Sequence, residues 1–320
     1  MADLSVQLAG MRLTNPILSA SGTFGHGVEM TQLVPFERLG GWVSKTVTWN
    51  PRPGNRMPRI FETRAGFLNS IGLENRGIAH YVDHVLPQVE VERRAHPATI
   101  VVTNLGGHTA EEFAKLAAHL ADREDIDAFE INLSCPNVDG GKLPYSNDPG
   151  RAEEVMALVR RETDKPLFAK VSPNVTRVEE IAKGCEAGGA DAITACNTLL
   201  GMAVDWRRGK PRLATGAGGY SGAGVMPVAL RCAWQCVQAV SIPVIGCGGI
   251  QAAEDVMEFL AAGCTAVQVG TASFADPSLL ADLAQSLSNL LDQEGGRPLS
   301  DWIGTLDVPP QVPWRPAPLA

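Results

Sequence analysis

Short runs rich in Val, Ile, Leu and Ala recur along the chain, separated by longer stretches whose apolar residues return every three or four positions. The first pattern predicts buried parallel strands and the second amphipathic helices packed on them. Residues 4–13 alternate apolar and polar about Gly10 and predict a short hairpin. Eight strand runs follow, at Pro16–Ala20, Trp42–Thr48, Thr99–Thr103, Ala128–Leu133, Leu167–Val171, Ala192–Cys196, Pro243–Gly246 and Ala266–Val269. Helical stretches lie between them, among them Ala110–Ala121, Glu153–Glu162, Val178–Ala187, Pro227–Val240 and Ala252–Ala262. Eight β runs alternating with helices predict an α/β fold closed as a (β/α)8 barrel. The rival is an open doubly wound sheet, which carries a G-x-G-x-x-G turn after its first strand. Here the glycine-rich turns come late, after the seventh and eighth strands.

Two connections are longer than a barrel needs. Residues 49–74, after the second strand, are rich in Pro and Arg, and residues 197–224, after the sixth, in Gly and Arg. Both leave the C-terminal ends of strands, the face on which barrel enzymes build their sites. Residues 1–306 are expected to form one barrel domain. Residues 307–320 hold too much proline for a helix or central strand and are expected to be extended or disordered.

Composition narrows the classes. The chain of 320 residues is 45% hydrophobic with a net charge of −8, so no global basic field favours nucleic acid or an anionic membrane. Any anionic ligand must be held by local groups. Seven cysteines without a C-x-x-C pair predict neither a disulfide framework nor a metal site, and Cys232 and Cys236, four apart, read as helix packing. The start, M-A-D-L-S-V-Q-L, has no signal-peptide pattern, and no apolar run approaches the roughly 20 residues that span a bilayer. A reducing cytoplasm is the expected compartment.

In a closed barrel the last residues of the strands share one mouth. Those residues are Lys45, Asn104, Asn132, Lys170, Asn197, Gly248-Gly249 and Gly270-Thr271. A single Asn there reads as a turn residue, but a lysine in mid-strand, as in V-S-K-T-V and F-A-K-V-S, has no sheet edge to escape to. Two such lysines at matching positions point to an anion. In A-F-E-I-N-L, Phe129, Ile131 and Leu133 share one face, which puts Glu130 and Asn132 inside. A buried carboxylate needs a partner, and Lys45 or Lys170 is the expected one. The turns I-G-C-G-G-I and V-G-T-A lie where barrels commonly bind phosphate. Cys185, Cys232, Cys236 and Cys264 read as small buried hydrophobes, and Cys196 and Cys247 as contributors of backbone. Cys135 differs, since N-L-S-C-P-N-V places it among polar, Pro-constrained neighbours over the mouth. Its thiol is open to roles as nucleophile, general base or neither.

These motifs together resemble the class 1 dihydroorotate dehydrogenases of pyrimidine biosynthesis. The matching segments, in family order, are N-P-I-L-S-A-S-G-T-F-G, S-K-T, L-N-S-I-G-L-E-N, N-L-S-C-P-N, K-V-S-P-N-V, C-N-T-L, G-G-Y-S-G, I-G-C-G-G-I and V-G-T-A. Any one alone, even S-C-P-N, also occurs in related dihydropyrimidine dehydrogenases. The resemblance implies an FMN-dependent oxidation of dihydroorotate to orotate, in which Cys135 takes the proton from C5 and hydride passes from C6 to N5 of the flavin. It implies catalytic roles for Cys135, Lys45 and Lys170, with Lys170 at the N1/O2 end of the flavin and Lys45 shared between flavin and substrate. Substrate contacts are implied for Lys45, Asn69, Ser70, Ile71, Gly72, Leu73, Asn132, Asn137, Asn197 and Thr198. Flavin contacts are implied for Ser21, Lys45, Thr46, Asn104, Asn132, Lys170, Cys196, Gly222, Gly248, Gly249, Gly270 and Thr271. A cysteine rather than a serine base separates the chain from the membrane-associated class 2. K-V-S-P-N-V-T and N-T-L-L-G resemble the NAD-linked B subtype, which implies a homodimeric core joined in a heterotetramer to a subunit carrying FAD and a [2Fe–2S] cluster. The alternatives are a fumarate-dependent homodimeric class 1A enzyme, a phosphate-binding barrel lyase or isomerase without flavin, and a barrel kept as a scaffold.

Overall fold

The computed structural model describes residues 2–134 and 145–308. Cys135, Asn137 and the tail from Pro309 lie outside the described residues. The eight strands that close the barrel are β1 (Ile17–Ser19), β2 (Gly41–Val43), β3 (Ile100–Leu105), β4 (Ala128–Asn132), β5 (Leu167–Lys170), β6 (Ala192–Ala195), β7 (Val244–Cys247) and β8 (Ala266–Val269). Neighbours pair in parallel and in chain order, and β8 returns to β1 through Val267↔Ile17. The barrel expectation is met. Register brings inward polar residues side by side, with Asn104 opposite Glu130, and Lys170 opposite both Asn132 and Thr194.

The outer layer consists of α1 (Leu86–Ala95), α2 (Ala110–Leu120), α3 (Pro149–Arg160), α4 (Val178–Ala187), α5 (Met226–Val237), α6 (Ala253–Ala261) and α7 (Leu279–Gln293). Each buries a stripe on the strands. In α2, Phe113, Leu116, Ala117 and Leu120 are fully buried, which at roughly 25 cal/mol per Å² of apolar area is the main force holding the helix in place. Thr109 caps that helix by accepting the Glu112 N–H at 3.3 Å. Only short 3-10 turns, Val28–Met30 and Phe36–Arg38, connect β1 to β2. The predicted hairpin is present as Val6–Leu8 paired with Met11–Leu13.

The predicted strand Trp42–Thr48 needs correction. Ladder pairing stops at Val43, and β3 is rejoined only through Val47 opposite Leu105. Between them the Lys45 N–H leaves the sheet to donate to the Gly25 carbonyl at 2.8 Å. Lys45 therefore sits in an excursion beyond β2 and does not match the in-strand position of Lys170. The two long connections also prove to be one structure. Their strands Ile60–Thr63, Gly66–Asn69, Leu199–Gly201 and Gly218–Ser221 form a four-stranded antiparallel sheet, with Gly66–Asn69 and Gly218–Ser221 adjacent at its centre.

Candidate functional site

Glu130 lies on β4 with no solvent exposure. Four neighbouring strand residues satisfy its carboxylate. Asn104 Nδ2 donates to Oε1 at 2.6 Å, Thr194 Oγ1 to Oε2 at 3.0 Å, Gln268 Nε2 to Oε2, and the Lys170 ammonium to Oε1 at 3.4 Å. Lys170 also donates to Gln268 Oε1 at 2.9 Å. Its ammonium has three protons, so one remains beyond these two described partners. Burial is the strongest influence on Lys170 and pushes its pKa down, yet the Glu130 carboxylate, helped by the Cys247 and Cys196 thiols, carries the net result above the ordinary value. The buried lysine therefore stays cationic through the neutral range. Of the two partners expected for Glu130, the structure selects Lys170.

Above this pair the strand ends form an amide and hydroxyl cluster. Asn132 Oδ1 accepts from Ser134 Oγ at 2.7 Å and from Asn197 Nδ2 at 3.4 Å, and Asn197 Nδ2 also reaches Ser134 Oγ. The Thr198 N–H donates to Asn197 Oδ1, and Asn174 Nδ2 donates to the Thr198 carbonyl at 2.9 Å. The antiparallel sheet adds Asn69, opposite Gly219, while Gly219 lies against Thr198. Beyond Asn69 the Ser70–Leu73 turn is held by its carbonyls. Asn55 donates to those of Ser70 and Ile71, and Asn75 to that of Leu73. The N–H groups of Ile71, Gly72 and Leu73 find no acceptor among the described residues. With Gly72 at φ +78° and Leu73 at φ +54°, such a run of amides has the geometry of a concavity suited to an anion.

The glycine turns converge on the other side. Gly222 has φ +105°, and a Cβ there would lie 2.6 Å from the Gly66 Cα. A Cβ on Gly249, at φ +84°, would lie 2.4 Å from the Met226 Cβ in the first turn of α5. Thr271 Oγ1 donates to Ser221 Oγ at 2.9 Å and ties the β8 turn to the sheet strand that precedes Gly222. The N–H groups of Gly222, Gly248, Gly249, Gly270 and Thr271 have no acceptor among the described residues. Five such donors around glycines that leave no room for a side chain suit a phosphate. Asn104 Oδ1 and Ser70 Oγ are likewise buried with no partner among the described residues, as polar atoms awaiting a ligand would be.

The remaining predicted residues occupy the margins. Ser21 Oγ and Thr46 Oγ1 lie 3.4 Å apart. The Cys196 N–H is bonded to the Cys247 carbonyl, and its thiol pKa is pushed far up by a hydrogen bond with the Cys232 thiol and by burial. Lys45 is half-buried and faces a cavity of about 550 Å3 with His26, Glu29, Arg52 and Glu74. Burial pushes its pKa down, opposed by Glu74. Sequence reasoning missed Thr194, Gln268, Ser134 and Asn174. Thr194 in A-I-T-A and Gln268 in A-V-Q-V carry the same inward-polar signal that singled out Glu130. Among the described residues no group of three or more His, Cys, Asp or Glu is placed to hold a metal, and no helix is long and apolar enough to cross a membrane.

The sequence model of a family described as dihydroorotate dehydrogenase matches residues 3–291. A relative in Geotalea uraniireducens, named dihydroorotate dehydrogenase B (NAD(+)), catalytic subunit, is 46% identical over 304 residues, 95% of this chain and 98% of that one. One of the same name in Phocaeicola vulgatus is 44% identical over 308 residues, 96% of this chain and 100% of its own. A crystal structure of DHODH in complex with ferulenol from Eimeria tenella matches with a TM-score of 0.77 at 22% identity, over 95% of this chain and 88% of that chain. That last likeness concerns the fold.

Proposed function

The chain belongs to the dihydroorotate dehydrogenase family, and from that premise we propose that it oxidises dihydroorotate to orotate for pyrimidine biosynthesis as an FMN-binding catalytic subunit. The observation that carries the reading is the cationic Lys170, clamped by Glu130 and Gln268 in a barrel whose strand ends also carry an amide cluster and backbone donors with no acceptor among the described residues. The residues fit FMN. Gly222, Gly248, Gly249, Gly270 and Thr271 would hold its phosphate, and Lys170, Asn104, Ser21, Thr46 and Cys196 would line the flavin. When bound, FMN supplies the hydride acceptor.

The chain supplies the rest. Lys170 holds a positive charge in a dry interior, where it acts more strongly than in water. The amides of Ile71, Gly72 and Leu73 and the Lys45 ammonium would bind the substrate carboxylate, and Asn69, Asn132, Asn137, Asn197 and Thr198 would hold the ring. Fixing the ring against these groups sets which face meets the base. In this reading Cys135 accepts the C5 proton, which the neighbouring carbonyl makes acidic. Cys135→Ser tests the assignment, since a hydroxyl is a far weaker base at neutral pH. FMN should remain bound and orotate should still perturb its spectrum, while reduction by dihydroorotate slows about 100-fold or more. Undiminished reduction would remove Cys135 from the reaction.

The names of the B-type relatives support NAD as final acceptor and a partner subunit, and in this reading the partner carries FAD and a [2Fe–2S] cluster, with two catalytic chains at the centre of a heterotetramer in the cytoplasm. The isolated chain should then reduce neither fumarate nor NAD at a useful rate, and addition of the partner should restore NAD reduction. Fumarate turnover by the chain alone would place it with the A subtype instead.

A further inference from the structure

The outer faces of α5 and α6 leave an apolar groove of about 430 Å3. Met226, Leu230 and Trp234 line it at four-residue spacing, so they form one stripe along α5, and Pro227 flanks them. All four are at least partly exposed. The chain already runs into this groove. The Gly304 N–H donates to the Leu260 carbonyl and the Leu306 N–H to that of Ala261, each at 3.0 Å, which ties residues 304–306 to the end of α6. Leu306 lines the groove yet stays 50% exposed, and the described chain stops at Val308. Residues 309–320 follow as P-P-Q-V-P-W-R-P-A-P-L-A, with five prolines, Trp314 and one charged side chain, Arg315.

We propose that residues 309–320 dock in cis along this groove, with Trp314 against the Met226–Leu230–Trp234 stripe and Arg315 beside Glu258. Three arguments carry the assignment. The first is chemical. Proline-rich segments favour the polyproline II conformation, lose little entropy on binding, and dock in grooves built of apolar and aromatic side chains. The second is reach. The six residues from Pro309 to Trp314 span about 19 Å in that conformation, whereas Met226 to Trp234 is about 12 Å along α5. A segment tethered at the groove itself also has an effective concentration near millimolar, which a free partner must exceed. The third is charge. Glu258 lies in the groove wall with no ion pair among the described residues, while Arg231 has Glu179 near it. Arg315 is the tail's matching cation.

5-Fluorotryptophan NMR of the full-length holoprotein tests this. The chain has six tryptophans, and the Trp314 signal is assigned by its loss in Trp314→Phe. The expected Trp314 signal lies away from the position of free fluoroindole. A soluble gadolinium chelate should broaden it several-fold less than the signal of Trp206, which is 74% exposed. Leu230→Glu, which blocks the groove, and Arg315→Glu, which leaves the barrel untouched, should both return it to the free position. A Trp314 signal in the unmodified chain that is free and broadened like Trp206 would overturn the proposal. So would an offset that disappears on dilution, since the bound tail would then belong to a second copy.

Discussion

Removing a single oxygen charge from Glu130 leaves Lys170 buried opposite a neutral amide, in surroundings that give the ammonium little solvent. Breaking one side of a buried pair costs about 3–5 kcal/mol, so Glu130→Gln should lower the stability to urea by about 3 kcal/mol. Lys170→Met in the same chain should recover part of that loss, a coupling that independent sites would not show. Because Lys170 is shifted upward, its contribution is complete below its unfolded value and is lost only as strongly alkaline pH passes the folded one. His26 behaves in the opposite sense. Burial holds its pKa down at about 4, with Glu29 pulling upward and Lys45 and His80 adding to the decrease. A depressed folded pKa gives stability that is present above the unfolded value of about 6.5 and is lost as pH falls toward the folded one. Urea midpoints should therefore drop between pH 7 and pH 5, and His26→Gln should flatten that drop.

Among the elements, the turn after β7 has little freedom to change. Gly249→Ala would force a side chain onto the first turn of α5 at a positive φ, a strain of about 1–3 kcal/mol before any clash. The expected result is a lower melting temperature together with faster loss of FMN on dilution, read by fluorescence of the released flavin. That turn was legible from sequence, as were the strands, because parallel barrel strands are continuous apolar runs with glycines at fixed ends. The end of β2 was not. Trp42–Thr48 is rich in the β-branched residues a strand favours, but the Lys45 N–H is drawn to Gly25, an acceptor that local pattern does not reveal. The antiparallel sheet was hidden for a related reason, since Asn69 and Gly219 pair across 150 residues. Its strands are short, and although each connection pairs its own two strands, the central pairing that makes them one sheet joins two distant stretches of chain. Cys135, which carries the proposed proton transfer, rests on the sequence motif alone.

For the molecule as a whole, the closed barrel converts scattered sequence into one site. A chain with net charge −8 attracts no anion by its overall field, so in the proposed reading phosphate and carboxylate would be held by the local amides, by Lys170 at a strand end and by Lys45 beyond β2. The account stands on a flavin in that mouth, within reach of dihydroorotate. Anaerobic titration of the purified chain with dihydroorotate tests it most directly. The predicted result is a yellow protein whose absorbance near 450 nm, a band characteristic of oxidised flavins, bleaches in proportion to added substrate, to an end point of about one equivalent per flavin. A colourless chain that does not take up FMN, or a bound flavin that dithionite bleaches and dihydroorotate does not, would contradict it.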